Sequence, residues 1–514
     1  MKILIFHGYL LSGTGSNVYN AQLARAFVRA GHEVHLLSQE RAPERLAFVD
    51  AHGDWDNGGG LKLRMLREPV RCTAYRPAIG KLLPVYVADR YDGFEARTFL
   101  DCTDEEVEEY VARNAAAVRE VAERVRPDVA LANHLVMGPA ILARGLEGLG
   151  VPYAVKVHGS ALEYVVKRDP ARFLPWARAG LAPAQAVLVG SRHTAESLWE
   201  AMGDPGLPDR TRLGPPGVDI EAFRPAPPDE ARRRLRGLAE RLQAAEPEVT
   251  AEGSSFARDV NAAGRELARL DPDAERLVVF VGKLIVSKGV DLLAAAWPLV
   301  QRRVPDATLV VVGFGAYTEG FTRLVRALEE DDDATLRELA QRGRGVEGGP
   351  EAPLRHLTAH LERRERGGGP LRVRVVGRLE HDELHDLLPA CDAQVVPSTF
   401  PEAFGMVAAE GAACGLLPVS AGHSGLAEVS AQLAEAVPPE AAPWLSFPVD
   451  DDAVEALADR IASWLEAPAD LRERTREALV ATARERFSWD GVARDVIAAA
   501  EGSLGALRVV APVL

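Results

Sequence analysis

Cysteine is scarce in this chain: among 514 residues there are four, Cys72, Cys102, Cys391 and Cys414, and no two form a C-x-x-C pair. That spacing suits reduced thiols in a cytoplasmic setting better than a disulfide framework, and no metal site follows from it. No run of about 18 apolar residues occurs, so no membrane-spanning helix is expected, although peripheral membrane contact is left open. The opening Met1-Lys2-Ile3-Leu4-Ile5-Phe6 is cut short by His7, Gly8 and the polar turn from Ser12 to Ser16, and reads as a first strand rather than a signal peptide. Net positive charge is also lacking. A formal charge of -15 argues against nucleic acid as a partner, because phosphate backbones are held by clustered Lys and Arg. Asp-x-Asp occurs at Asp54-Trp55-Asp56, Asp271-Pro272-Asp273 and Asp450-Asp451-Asp452, never after an apolar strand, so each reads as a solvated loop and no metal site is assigned.

The chain is too long for a single core, and 47% hydrophobic residues suffice for two. Strand and helix patterns alternate from the start: Ile3 to His7, a helix from about Ser16 to Ala30, then Glu33 to Leu37, Val129 to Asn133, Tyr153 to Val157 and Ala186 to Val189. Alternation of this kind predicts a parallel sheet covered on both faces. Proline and glycine punctuate the chain at Gly214-Pro215-Pro216-Gly217 and Pro225 to Pro228. The pattern then restarts with Leu277 to Val281, Ala307 to Val312, Val373 to Val376, Ala393 to Val396 and Pro418 to Ser420. The reading is therefore α/β, with two doubly wound domains, 1–216 and 217–489, whose strand ends face a cleft. A last helix at about 490–514 is expected to return to the first domain. Stretches at about 228–273 and 329–369 read as inserted surface helices and loops, and about 41–97 receives no assignment.

Chemistry concentrates in strand-end loops. The apolar run to Val396 leads into Pro401-Glu402-Ala403-Phe404-Gly405-Met406-Val407, and a helix of small apolar residues carries Glu410. A helix start after a strand directs unpaired NH groups and positive dipole at an anion, here a diphosphate. In Gly282-Lys283-Leu284-Ile285-Val286-Ser287-Lys288-Gly289, two cations share one strand-to-helix loop, enough to offset a leaving diphosphate without a metal. The turn Gly13-Thr14-Gly15 lets backbone approach a ligand, but Val18 stands where a dinucleotide fingerprint wants a third glycine. His158, after Val155-Lys156-Val157, is placed to meet a sugar hydroxyl, and His134 to line an acceptor site. His381 and His385 share zinc-like i, i+4 spacing but have no evident third ligand, and read as exposed helix residues.

In order along the chain, these pieces resemble the retaining glycosyltransferases of the glycogen synthase-like GT-B superfamily, family four. The resemblance rests on the E-x7-E pair Glu402 and Glu410, the loop Gly282 to Gly289, Pro216-Gly217-Val218-Asp219 with Phe223 and Pro225, Gly31-His32-Glu33-Val34, and Arg486-Phe487-Ser488-Trp489-Asp490. It implies a GT-B fold of two Rossmann-like domains and a metal-independent transfer of sugar, with no cofactor, from a nucleoside diphosphate sugar to a hydroxyl acceptor. It further implies that Glu402 and His158 meet the sugar, Lys283 and Lys288 the diphosphate, and Glu410 the ribose. Phe404, Gly405, Met406 and Val407 would offer NH groups, Gly13, Thr14 and Gly15 would form the first-domain loop, and Arg378 and Leu379 would edge the base. Lys283 stands where the family commonly has Arg, and Thr14 replaces a usual glycine. The alternatives are a nicotinamide-dependent oxidoreductase and a non-catalytic GT-B protein that binds a nucleotide sugar.

Overall fold

The computed structural model describes residues 1–510 apart from 14, 56–58, 88–90, 92 and 247–257. The chain divides into two compact units, Met1–Gly217 with Phe487–Leu514, and Val218–Arg486. The strands of the first unit are β1 (Lys2–Phe6), β2 (Glu33–Leu37), β3 (Ala51–Trp55), β4 (Leu61–Met65), β5 (Cys72–Arg76), β6 (Leu82–Val85), β7 (Glu95–Thr98), β8 (Val129–Asn133), β9 (Tyr153–Val157), β10 (Ala186–Val189) and β11 (Thr211–Leu213). Among the described residues, nine of them form one sheet in the order β11-β10-β9-β8-β1-β2-β5-β3-β4, and β6 and β7 pair separately.

The central strands are mostly apolar because both faces of the sheet are covered, with His35 of β2, Asn133 of β8 and Lys156 of β9 as buried polar exceptions. Side chains alternate between two cores. Leu4 and Phe6 join Val155, Val157 and Val189 on one side, while Ile3 and Ile5 join Leu131, Ala154 and Leu188 on the other. The second face is closed by the helices Gly15–Arg29 and Trp489–Ala500, the latter through Trp489, Val492 and Val496. β1 pairs β2 on one side and β8 on the other, so the loop after β1 sits where the strand order reverses, which is where open α/β sheets take ligands.

The second unit repeats this plan with β12 (Arg276–Val281), β13 (Ala307–Val312), β14 (Val373–Gly377), β15 (Ala393–Val396), β16 (Leu417–Ala421) and β17 (Ser446–Phe447), parallel in the order β14-β13-β12-β15-β16-β17. Order reverses at β12, between β13 and β15. The loops after β12 and β15, which hold the candidate lysines and glutamates, are thereby adjacent.

The first sheet also carries one antiparallel strand. Residues 41–97, unassigned from sequence, extend the first sheet, and β4 runs antiparallel to β3 at its edge. Asp54 and Trp55 accordingly lie in a strand rather than a loop, with Asp54 held by Arg76 at 2.8 Å and His52 at 3.3 Å; Asp56 lies outside the described residues. The stretch 329–369 is also more than a surface insertion. Its helix Arg355–Arg363 buries Leu357 and Leu361, and Glu347 accepts a hydrogen bond from the Val286 backbone NH at 2.9 Å, inside the lysine loop. The stretch 228–273 contributes the helices Pro228–Ala244 and Val260–Leu267, which pack on each other.

Asp291, in the first turn of the helix Val290–Arg303, is 2% exposed, and its Oδ1 has no hydrogen-bond partner among the described residues. Burial pushes its carboxyl up to about 6. A raised carboxyl means that the unfolded state ionises first. Stability contributed by the proton is therefore complete at about pH 4 and lost as pH rises towards 6. Asp291→Asn is expected to stabilise the fold at pH 7 by on the order of 2 to 3 kcal/mol at most, raising the thermal midpoint there, and to leave the midpoint nearly unchanged at about pH 4. Melting curves of both proteins at the two pH values check this.

Candidate functional site

In the second unit, β12 ends at Val281 and the chain turns through Gly282 to Ile285 into a short 3-10 turn, Val286–Lys288. Gly289 follows in the left-handed region at φ 67°, and a Cβ there would stand 1.9 Å from the Pro397 carbonyl oxygen. Only glycine lets this loop press against the end of β15. The two loops are then stitched together by Thr399 and Phe400 NH groups, both donating to the Ser287 carbonyl at 3.0 and 3.2 Å.

That approach brings Lys288 and Glu402 into direct contact. Lys288 Nζ donates to Glu402 Oε1, and Ser398 Oγ donates to the same oxygen at 2.7 Å. Both charged side chains remain partly exposed, at 33% and 24%. Glu402 is also held through its backbone: its NH donates to Ser424 Oγ at 2.9 Å, and its carbonyl accepts from Gly425 NH at 2.9 Å. His423 completes the support, with Nε2 2.8 Å from the Ser398 carbonyl and Nδ1 3.1 Å from Ser424 Oγ. The Nε2–H tautomer satisfies both contacts, since a carbonyl only accepts. Ser398, His423 and Ser424 went unread in the sequence, although Gly422-His423-Ser424-Gly425 after β16 is a glycine-bearing strand-to-helix turn like those singled out elsewhere.

The helix after Glu402 runs Met406–Ala413, with Gly405 at its cap and no side-chain capping bond among the described residues. Its first-turn NH groups are therefore open to a ligand. Phe404 is 9% exposed; Met406 and Val407 are half-buried. One helical turn beyond them Glu410 is buried at 4% and accepts a hydrogen bond from His381 Nε2 at 2.8 Å.

His381 and His385 need correcting. His381 sits in the turn before the short helix Leu384–Leu387, and both rings are half-buried on Phe223, with centroids at 4.9 and 4.4 Å. Burial opposes a charge on His381, but Glu410 beside it, with Asp382 and Asp219, raises its pKa overall. Arg378 bonds Glu380 at 2.5 Å and lies over the Phe314 ring at 5.8 Å, while Leu379 beside it is 9% exposed. Lys283 is exposed in the same loop as Lys288.

In the first unit, Gly13 is exposed at φ 91° and Gly15 opens the helix Gly15–Arg29; Thr14 lies outside the described residues. Glu40, beyond β2, is turned onto the loop itself and accepts from Leu11 NH at 3.1 Å. His158 caps the end of β9 half-buried, with Nε2 3.0 Å from Asn133 Oδ1 and its ring 5.1 Å from that of Tyr19. Burial first, then His134, Lys156 and His7, hold its pKa well below the usual histidine range. His134 is 1% exposed among the rings of Tyr86, His158, Tyr9 and His7, with no partner for either nitrogen among the described residues.

Two Rossmann-like units of this topology define the chain as a GT-B protein, and its relatives narrow the class. The Glycosyltransferase Family 4 profile matches residues 13–222 and the Glycosyl transferases group 1 profile matches residues 362–486. The chain is 29% identical over 257 residues to a GDP-mannose-dependent alpha-(1-6)-phosphatidylinositol monomannoside mannosyltransferase of Mycolicibacterium smegmatis, covering 49% of each protein. It is 29% identical over 301 residues to a D-inositol 3-phosphate glycosyltransferase of Segniliparus rotundus, covering 58% of this chain and 48% of that protein. The chain thus spans about half the length of these curated relatives. In structure it resembles Anabaena Alr3699/HepE, solved with UDP and glucose, at a TM-score of 0.56 and 17% identity, over 99% of this chain and 100% of that one. The chain belongs to the family-four-like GT-B glycosyltransferases.

Among the described residues no helix is long and apolar enough to cross a membrane, and no group of three or more His, Cys, Asp or Glu side chains is arranged to hold a metal ion. Gly289→Ala is expected to force the two loops apart and lower the thermal midpoint by about 2 to 4 °C or more. An unchanged midpoint would mean that the loop contact with Pro397 yields easily.

Proposed function

We propose that this chain moves a sugar from a nucleoside diphosphate sugar to a hydroxyl acceptor, with retention at the anomeric carbon and without a metal. The observation that carries the reading is the Lys288–Glu402 contact at the start of the helix Met406–Ala413. Cation, carboxylate and oriented NH groups there meet the three needs of such a donor: a charged diphosphate, a hydroxylated sugar and a bond that breaks with charge separation.

Without ligand, each of the two charges compensates the other, which avoids stranding either one partly buried. On this reading an incoming diphosphate takes Lys288 and frees Glu402 to accept from sugar hydroxyls. Lys283, exposed in the same loop, adds a second positive charge, and the NH groups of Phe404 to Val407 add helix-end dipole. As the glycosidic link breaks, negative charge grows on the leaving diphosphate, and these fixed donors stabilise it more than they stabilise the bound donor. Attack by the acceptor on the face the leaving group departs from gives retention, with no carboxylate assigned as nucleophile. Glu410 takes the ribose hydroxyls, with His381 fixing its carboxylate, and Arg378 and Leu379 edge the base. Gly13, Thr14 and Gly15 give backbone contact, His158 meets a sugar hydroxyl, and His134 is assigned to the acceptor side. The nicotinamide alternative fares worse, because the acid after β2, Glu40, is spent on the backbone of the glycine loop.

Lys288→Ala is expected to lower turnover by about two orders of magnitude or more with the fold retained, and Lys288→Arg to restore part of it. A donor-hydrolysis and transfer assay with GDP-, UDP- and ADP-sugars measures this, and near-normal activity of the alanine variant refutes the assignment. Thermal shift against GDP, UDP and ADP is expected to single out one nucleotide, since a ligand that binds only the folded state raises its midpoint. The anomeric configuration of the product, read by NMR, tests retention.

A further inference from the structure

A line of buried polar side chains in the first unit runs from the glycine loop to His158. Asn17 Nδ2 donates to the Ser12 carbonyl at 2.6 Å, and its Oδ1 lies 2.9 Å from His7 Nε2. Asn20 Nδ2 donates to the Ser16 carbonyl at 2.9 Å and lies 3.0 Å from His7 Nδ1. Asn133 Nδ2 donates to the Phe6 carbonyl at 3.2 Å and to Asn20 Oδ1 at 2.7 Å, and its Oδ1 lies 3.0 Å from His158 Nε2.

The direction of every bond in this line is fixed. Each amide has its NH2 group on a main-chain carbonyl, which only accepts, so none of the three can be turned round without losing that bond. Asn17 therefore presents an oxygen to His7, making His7 the Nε2–H tautomer with an accepting Nδ1, which Asn20 satisfies. Asn133 likewise presents an oxygen to His158, so the proton of that ring sits on Nε2. We propose that Asn133 is a positioning residue that fixes His158 as the Nε2–H tautomer, so that its Nδ1 lone pair accepts a hydrogen bond from a hydroxyl of the bound sugar. This rests on the transfer reading above for the identity of the ligand, though the tautomer itself does not.

The surroundings keep both rings neutral. Burial lowers His7 to about 4 and His158 well below its usual range, and the groups facing His158 are His134, Lys156, His7 and the Tyr19 ring. None of these is an acid. A neutral ring has a bare nitrogen, and a hydroxyl proton is what a bare nitrogen recognises. The far end of the line rests on Ser12 and Ser16, which bracket the glycine loop, so the loop and the histidine share one hydrogen-bonded frame.

Long-range proton–nitrogen correlation spectra of protein labelled with 15N-histidine test this directly, with His158→Asn and His7→Asn used for assignment. Both rings are expected to be neutral with the proton on Nε2 at pH 7, and a proton on Nδ1 of His158 overturns the proposal. Asn133→Asp sets a carboxylate against Nε2, which favours the imidazolium and puts a proton on Nδ1 as well. That variant is expected to lose about tenfold in kcat/KM at pH 7 and to regain it as pH rises, whereas a loss independent of pH marks a merely structural residue and overturns the proposal. If Asn133→Asp does not fold, the wild-type spectra decide alone. Wrong tautomers with sugar transfer intact sink this inference only, and correct tautomers without transfer sink only the reading of the ligand.

Discussion

The contact of Lys288 with Glu402 is the constraint on which the second unit's site depends, because neither residue belongs to the element that carries the other. It exists only where β12 and β15 are neighbours and where Gly289 allows its loop to close onto Pro397. An ion pair this exposed adds little to stability. Its value is positional. Two opposite charges are held at a helix start, each compensating and orienting the other, with Ser398, Ser424 and His423 bracing the carboxylate side.

The two units handle polarity in opposite ways. The first buries neutral groups in a directed hydrogen-bond line, and burial works against every charge near it: His7, His134 and His158 are pushed down, and Lys156, bonded to the Gly214 carbonyl, falls to about 7. The second gathers charge instead, with Lys288 and Glu402 in contact and His381 held on Glu410. On the proposed reading this division matches the ligand. Sugar hydroxyls are read by neutral donors and acceptors of fixed direction, while a diphosphate calls for charge.

Much of the architecture was legible because parallel strands buried on both faces are continuous apolar runs, as in Val129-Ala130-Leu131-Ala132 and Leu309-Val310-Val311-Val312. The helix start at Met406 was legible from a glycine followed by small apolar residues. The edge hairpin was not recognised, although Leu61-Lys62-Leu63-Arg64-Met65 alternates with period two after a glycine run; short edge strands with charged alternate residues resemble surface loops. The histidines at 381 and 385 looked like exposed helix residues because nothing in their own sequence shows Phe223 beneath them or Glu410 beside one of them.

The order of residues alone determined which loops follow which strands, and so which side chains stand at strand ends: Lys288, Glu402 and His158 are placed there by local pattern. Tertiary structure decided which of these ends meet. Strand order in a sheet is set by packing between segments far apart in the chain, and so is the partner of every side chain that reaches across. Hence Glu347 from a seeming insertion supports the lysine loop, and Asn133, an unremarked last residue of β8, sets the proton on His158. Short-range pattern carries no information about such contacts, because their hydrogen-bond geometry exists only once the sheets have formed.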